Sequence, residues 1–138
     1  MLVVFFFISI LVIHACTSSA RYRAGAIQTT DRGRYNEGMT LRGKASYYGE
    51  NFHGQKTASG EIFNMYALTA AHKSLPFGTQ IQVTNIENNK SVIVRINDRG
   101  PFIGGRILDL SYRAGREIQM IARGTVEVKI KIIRLGRE

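Results

Sequence analysis

Residues 79–97 read TQIQVTNIENNKSVIVRIN. Apolar and polar residues alternate over 79–86, which places Ile81, Val83 and Asn85 on one face of a strand. Glu87-Asn88-Asn89-Lys90 is a polar turn, and 91–97 reads as the returning strand of a hairpin. Toward the C-terminus, 107–110 is a very short strand. Ser111 is placed to cap a helix over 112–120, with Ala114 and Ile118 on its inner face. The stretch GTVEVKIKIIRL at 124–135 alternates again, with Val126, Val128, Ile130 and Ile132 inward and Glu127, Lys129 and Lys131 outward. Toward the N-terminus, KASYY at 44–48 is a short strand ended by Gly49, and 49–60 is a long loop. The apolar run at 67–71 is either a strand or a helical turn, and 75–78, LPFG, is a turn. Many short strands and one short helix after Leu41 point to an all-β fold, a small closed barrel.

The chain has 138 residues, a formal net charge of +9 and 44% hydrophobic residues, which fits one globular domain. A basic surface attracts polyanions. The Lys and Arg residues are scattered, and no recognition helix, zinc-finger spacing or aromatic RNA-binding motif accompanies them, which argues against a nucleic-acid partner. The first fifteen residues, MLVVFFFISILVIHA, are too short an apolar run to span a membrane and fit the core of a secretory signal. Cys16, the single cysteine, follows at once. Residues 17–40 are rich in Ser, Thr, Gly and Arg and read as a flexible tether. The expected division is therefore 1–16 leader, 17–40 tether and 41–138 barrel. A monomer is the expected state.

Four polar groups sit where a plain barrel does not demand them. They are Thr57-Ala58-Ser59-Gly60-Glu61, Thr69-Ala70-Ala71-His72, Asn97-Asp98-Arg99-Gly100-Pro101 and Arg106-Ile107-Leu108-Asp109-Leu110-Ser111. Each has an ordinary explanation. Glu61 is a solvated loop acid, His72 an exposed turn residue and Asp98 an acceptor for the Gly100 amide. Asp109 is a helix N-cap or the buried partner of an arginine, and Gly100 and Pro101 shape the turn. His14, His53 and His72 show no metal-ligand spacing, so neither metal nor cofactor is expected. No nucleophile-elbow motif accompanies them.

Taken together the motifs are more specific. ASYYG, FHG, TASGE, TAAH, LPFGT, VTN, NDRGP and RILDLS occur in this order between about Gly43 and Ile121. This series resembles the rare lipoprotein A (RlpA-like) family. The resemblance implies a six-stranded double-psi β-barrel, shared with the first domain of expansins. It also implies a bacterial envelope protein that acts on peptidoglycan glycan strands as a lytic transglycosylase and prefers strands stripped of stem peptides. The family positions that matter fall here on Glu61, His72 and Asp98. Cys16 then reads as a lipobox-like cysteine, lipidated to anchor the protein to a membrane facing the periplasm. His14 stands where a small or aliphatic residue is usual. Many family members carry a C-terminal SPOR domain, and 138 residues leave no room for one, so septal targeting by that route is not expected.

The chemistry explains the residue types. A lytic transglycosylase needs one carboxyl group, because its nucleophile is the C6 hydroxyl of the muramic acid being cut, already held near the anomeric carbon. Asp98 is the candidate acid and base. Glu61 either supplies a like charge or binds sugar hydroxyls, and His72 bonds to Asp98 or to substrate. Tyr47, Tyr48 and Phe52 are either sugar-stacking surface or barrel core. Asn97 and Ser111 donate to sugar or to backbone. Arg99 binds substrate or pairs with Asp109. The competing reading is a non-catalytic, expansin-like module that binds polysaccharide.

Overall fold

The computed structural model describes residues 33–137. Strands β1 (Thr40–Tyr47), β2 (Thr69–His72), β3 (Gln80–Asn85), β4 (Ser91–Asp98), β5 (Arg106–Leu110) and β6 (Val126–Arg134) close into one barrel, with helix α1 (Tyr112–Glu117) packed on it. The hairpin at 79–97 forms as its alternation predicts, Gln80 lying opposite Arg95 and Thr84 opposite Ser91. Asn89 takes a positive φ of 59° in its turn, which asparagine tolerates. Around the barrel the strand order is β1-β5-β2-β4-β3-β6, and β6 pairs back onto β1. The pairs β1/β5 and β2/β4 are parallel and the others antiparallel. A parallel pair needs a long crossover, and two such crossovers interlock here as a six-stranded double-psi barrel.

Ile81, Val83, Val94, Ile96, Leu108, Leu110, Val128, Ile130 and Ile132 fill the interior. Each contributes roughly 1.5–3 kcal/mol by leaving water. Asn85, on the same face as Ile81 and Val83, is buried as well and donates to the Ile118 carbonyl at 3.0 Å. Its burial is tolerated because that bond is made.

The structure moves two boundaries. The barrel begins before Leu41, inside the expected tether. Tyr35 is buried against the core with its hydroxyl 2.7 Å from Ser74 Oγ, and the Gly38 amide donates to Ile132 O at 2.7 Å. Composition hid this, since the contacts named rest on one tyrosine and one backbone amide. Helix α1 ends at Glu117 rather than Met120, because Gln119 turns to a positive φ of 54°. The expected leader and Cys16 lie outside the described residues.

Candidate active site

β4 ends at Asp98, beside its parallel neighbour β2, where Ala71 is the register partner of Asp98. Three donors hold the Asp98 carboxylate. Oδ2 accepts from the Tyr48 hydroxyl at 2.8 Å, and Oδ1 accepts from the Ala58 and Arg99 amides, each at 2.8 Å. Tyr48 follows β1 directly. Its ring lies 5.3 Å from that of Phe52 and 4.9 Å from that of Phe63. Burial first, and then the bond to Asp98, push the Tyr48 phenol far above its ordinary range. It stays a donor throughout the working range of pH.

The Ala58 amide reaches Asp98 because residues 57–61 form a tight turn. The Thr57 amide donates to Glu61 O at 2.7 Å, the Gly60 amide to Thr57 O at 3.0 Å, and Gly60 takes a φ of 90°. That conformation suits glycine. The same turn sets Glu61 against Arg95, with guanidinium bonds of 2.6 and 3.0 Å, and against Asn97 Nδ2 at 3.0 Å. The bond from Arg95, then that from Asn97, hold the Glu61 carboxyl below its usual range. Glu61 and Asp98 therefore stand at one rim, joined by consecutive residues of β4, with Glu61 neutralised by a bidentate cation.

His72 is not the exposed turn residue expected. It is 6% exposed, and its Nδ1 accepts from the Ser74 and Leu75 amides at 3.1 and 3.0 Å. An accepting Nδ1 puts the proton of the neutral ring on Nε2. Burial above all, with the charges of Arg99 and Lys73, lowers its pKa to about 4. Of the two roles considered for His72, the bond to Asp98 is not formed: that carboxylate takes its bonds from Tyr48, Ala58 and Arg99. Arg99 is drawn to the same turn, donating to Leu75 O at 2.9 Å with its guanidinium 3.8 Å from the Phe77 ring centre. Phe77 is backed in turn by the segment after β6. The Gly136 amide donates to Thr79 Oγ1 at 3.0 Å, and a Cβ on Gly136 would collide with the Phe77 carbonyl.

Other expected residues part company here. Asp109 takes Ser46 Oγ at 2.6 Å and Arg106 at 3.6 Å, so the arginine beside it is Arg106 and not Arg99. Tyr47 and Tyr48 are neighbours in an extended chain and face opposite ways. Tyr47 meets the Tyr112 ring at 6.1 Å on the side of α1, away from Asp98. Ser111 is fully buried; its Oγ donates to Ala67 O at 2.5 Å and accepts from Ala114 N at 3.2 Å, so it serves backbone and not sugar. Asn97 is buried and spends its amide on Glu61. Phe52 is half exposed beside Tyr48, and Gly100 takes a φ of 128° at the bend after Asp98. The sequence reading missed Phe102 and Ile103, 80% and 65% exposed just past Pro101. An aromatic residue inside a glycine-rich loop beside the motif was the available signal.

A family model described as lytic transglycolase matches residues 40–130. The endolytic peptidoglycan transglycosylase RlpA of Helicobacter pylori is 54% identical over 99 residues, covering 72% of this chain and 32% of that protein. The protein of the same name from Vibrio cholerae is 52% identical, covering 73% and 38%, and that of Neisseria meningitidis 45%, covering 91% and 52%. The chain thus spans about a third to a half of the length of the curated relatives it matches. Among solved structures, Streptomyces papain inhibitor superposes with a TM-score of 0.57 at 22% identity, covering 71% of this chain and 97% of that one. A mutant Clavibacter michiganensis expansin in complex with cellohexaose also gives 0.57, at 19% identity and coverage of 72% and 53%. Those two likenesses concern the fold. With the family model spanning the barrel from β1 into β6, the chain belongs to the lytic transglycolase family.

Proposed function

We propose that this chain is a lytic transglycosylase that cuts peptidoglycan glycan strands between N-acetylmuramic acid and N-acetylglucosamine and leaves 1,6-anhydromuramyl ends. The observation that carries the reading is Asp98, one carboxyl group fixed at a strand end by Tyr48 and two backbone amides. Protonated Asp98 gives its proton to the leaving glycosidic oxygen. The carboxylate so formed accepts from the Tyr48 hydroxyl and the Ala58 and Arg99 amides. It then takes the proton of the C6 hydroxyl as that oxygen closes on the anomeric carbon. The attack is intramolecular, so no second carboxyl is needed to activate water. Glu61, held by Arg95 and Asn97, is an acceptor for sugar hydroxyls at the same rim. Phe52, against the Tyr48 ring, and Phe102, past the bend at Gly100, are exposed stacking faces. His72 positions the turn that receives Arg99.

The names of the relatives, endolytic peptidoglycan transglycosylases, support this substrate and this class of reaction. The apolar run ending at Cys16 supports a lipid-anchored protein at the cell envelope, and the basic surface supports retention on a wall rich in carboxylates. A monomer suits a barrel with no open sheet edge.

The test is digestion of denuded glycan strands with mass spectrometry of the products. The wild-type protein releases anhydromuramyl ends. Asp98→Asn lowers the rate by about 10²- to 10⁴-fold, the usual worth of a positioned acid. Reducing ends without the anhydro ring would make the protein a hydrolase. Binding to sacculi without products would leave a polysaccharide-binding module.

A further inference from the structure

The aromatic wall beside Asp98 continues past Phe52. The next residue, His53, meets the Tyr66 ring at 5.8 Å, and its Nδ1 accepts from the Met65 amide at 3.1 Å. Met65 O accepts from the Arg113 amide at 3.0 Å, which ties this loop to α1. Tyr66 is 60% exposed, and on its far side opens a cleft of about 440 Å³ lined by Tyr66, Lys90, Tyr112, Arg113, Arg116 and Glu117.

The charges of this cleft are unbalanced: three cations face a single acid. Elsewhere on the surface, cations near acids are paired, as in Arg95 with Glu61 and Arg123 with Glu87. In the cleft, Arg113 reaches only the Tyr66 carbonyl, at a long 3.4 Å, and the Arg116 guanidinium lies 6.0 Å from the Tyr112 ring centre. Among the described residues, neither arginine nor Lys90 forms an ion pair there. Guanidinium forks matched to a carboxylate, flanked by the exposed Tyr66 ring and the half-buried Tyr112 ring, are what an acidic sugar needs. The ring stacks on tyrosine and the acid group takes arginine.

We propose that this cleft is a second saccharide subsite, which grips a carboxylate carried by the glycan at a distance from the bond cut at Asp98. This rests on the reading of the chain as a glycan-cutting enzyme. The carboxylate has two sources: the lactyl group of a muramyl residue freed of peptide, or the acid groups of an attached stem peptide. Arg113 and Arg116 bind it, and Tyr66 joins the cleft to the aromatic wall.

Two measurements test this. In the first, Arg113→Gln/Arg116→Gln is compared with wild type on long and on tetrasaccharide-length denuded strands. KM on long strands rises about tenfold, as expected for two lost charge contacts. The value of kcat and the behaviour on short fragments stay unchanged, as does the melting temperature. Equal losses on short and long strands, or no change in KM, overturn the subsite. The second needs no turnover. Amide shifts of the Asp98→Asn protein are followed by NMR as denuded strands, peptide-bearing strands or chitin oligosaccharides are added. Denuded strands move Tyr66, Arg113 and Arg116, and chitin oligosaccharides, which lack a carboxylate, do not. Peptide-bearing strands that bind the cleft as well as denuded ones show that a stem-peptide acid is taken in place of the lactyl group. Binding by denuded strands alone assigns the lactyl group. Shifts around Tyr48 and Ala58 without shifts in the cleft overturn the subsite and leave the parent reading standing. Absence of both overturns the parent reading as well.

Discussion

Asp98 and Glu61 are two carboxylates on one turn-and-strand unit, and their partners separate their roles. Glu61 receives both arms of Arg95 and is kept ionised, whereas Asp98 is held by a phenol and two amides. Tyr48 is the part of that cradle a point substitution can remove. Tyr48→Phe keeps the ring against Phe52 and Phe63 and deletes one bond to a charged group. A bond of this kind is worth roughly 1.5–3 kcal/mol, so kcat falls about 10- to 100-fold with KM little changed. Initial rates on denuded strands, beside a thermal melt, check this; an unchanged kcat would remove Tyr48 from the mechanism. Asp98 at a strand end was legible in the sequence, because the alternation of 92–96 stops at turn formers. The Ala58 amide was not, since a backbone donor leaves no mark on residue type. Nor did the sequence say which of Tyr47 and Tyr48 faces Asp98.

Strands that are half solvated announce themselves, and fully buried ones do not. β6 alternates buried and exposed residues along most of its length, and β3 alternates buried and partly buried ones, so both were readable from period alone. Every residue of β2 is buried, which left its short apolar run open between strand and helical turn. The cap of α1 was readable because Ser111 precedes it; the early stop was not, since glutamine carries no signal for a positive φ. Ser111 also binds the Ala67 carbonyl, so it pins the helix to the loop before β2. Ser111→Ala loses the cap and leaves that carbonyl short of a donor, costing about 2 kcal/mol. Urea unfolding measures the loss, while kcat/KM per folded molecule stays near wild type. A fall in activity without loss of stability would return Ser111 to the substrate site.

Closure of the barrel is what assembles the site. Tyr48, Ala58 and Asp98 come from three segments, and only the parallel pairing of β1 with β5 and of β2 with β4 brings them to one rim. Motif order identified these residues, but their distances depend on crossovers that no local pattern encodes. A single closed barrel also unfolds as a unit, so a buried titrating group registers in global stability. His72 is such a group, its pKa lowered to about 4 from an ordinary 6.5. Above pH 6.5 folded and unfolded chains both hold it neutral. As pH falls toward 4 the unfolded chain takes up a proton that the folded one refuses, and stability drops by on the order of 3 kcal/mol, levelling off below. His72→Asn removes that proton uptake, so the stability gap between wild type and variant narrows from pH 7.5 to 4.5 in denaturant melts. Parallel curves for the two proteins would show that His72 does not set the acid limb.

Gly136 gives a practical rule for anyone grafting this barrel into another protein. It sits beyond β6, where a designer would place a junction, yet its missing side chain is what lets Phe77 lie under Arg99. A fusion seam belongs after Arg137. Cut at the end of β6, the graft would keep every strand and lose the backing of its working face.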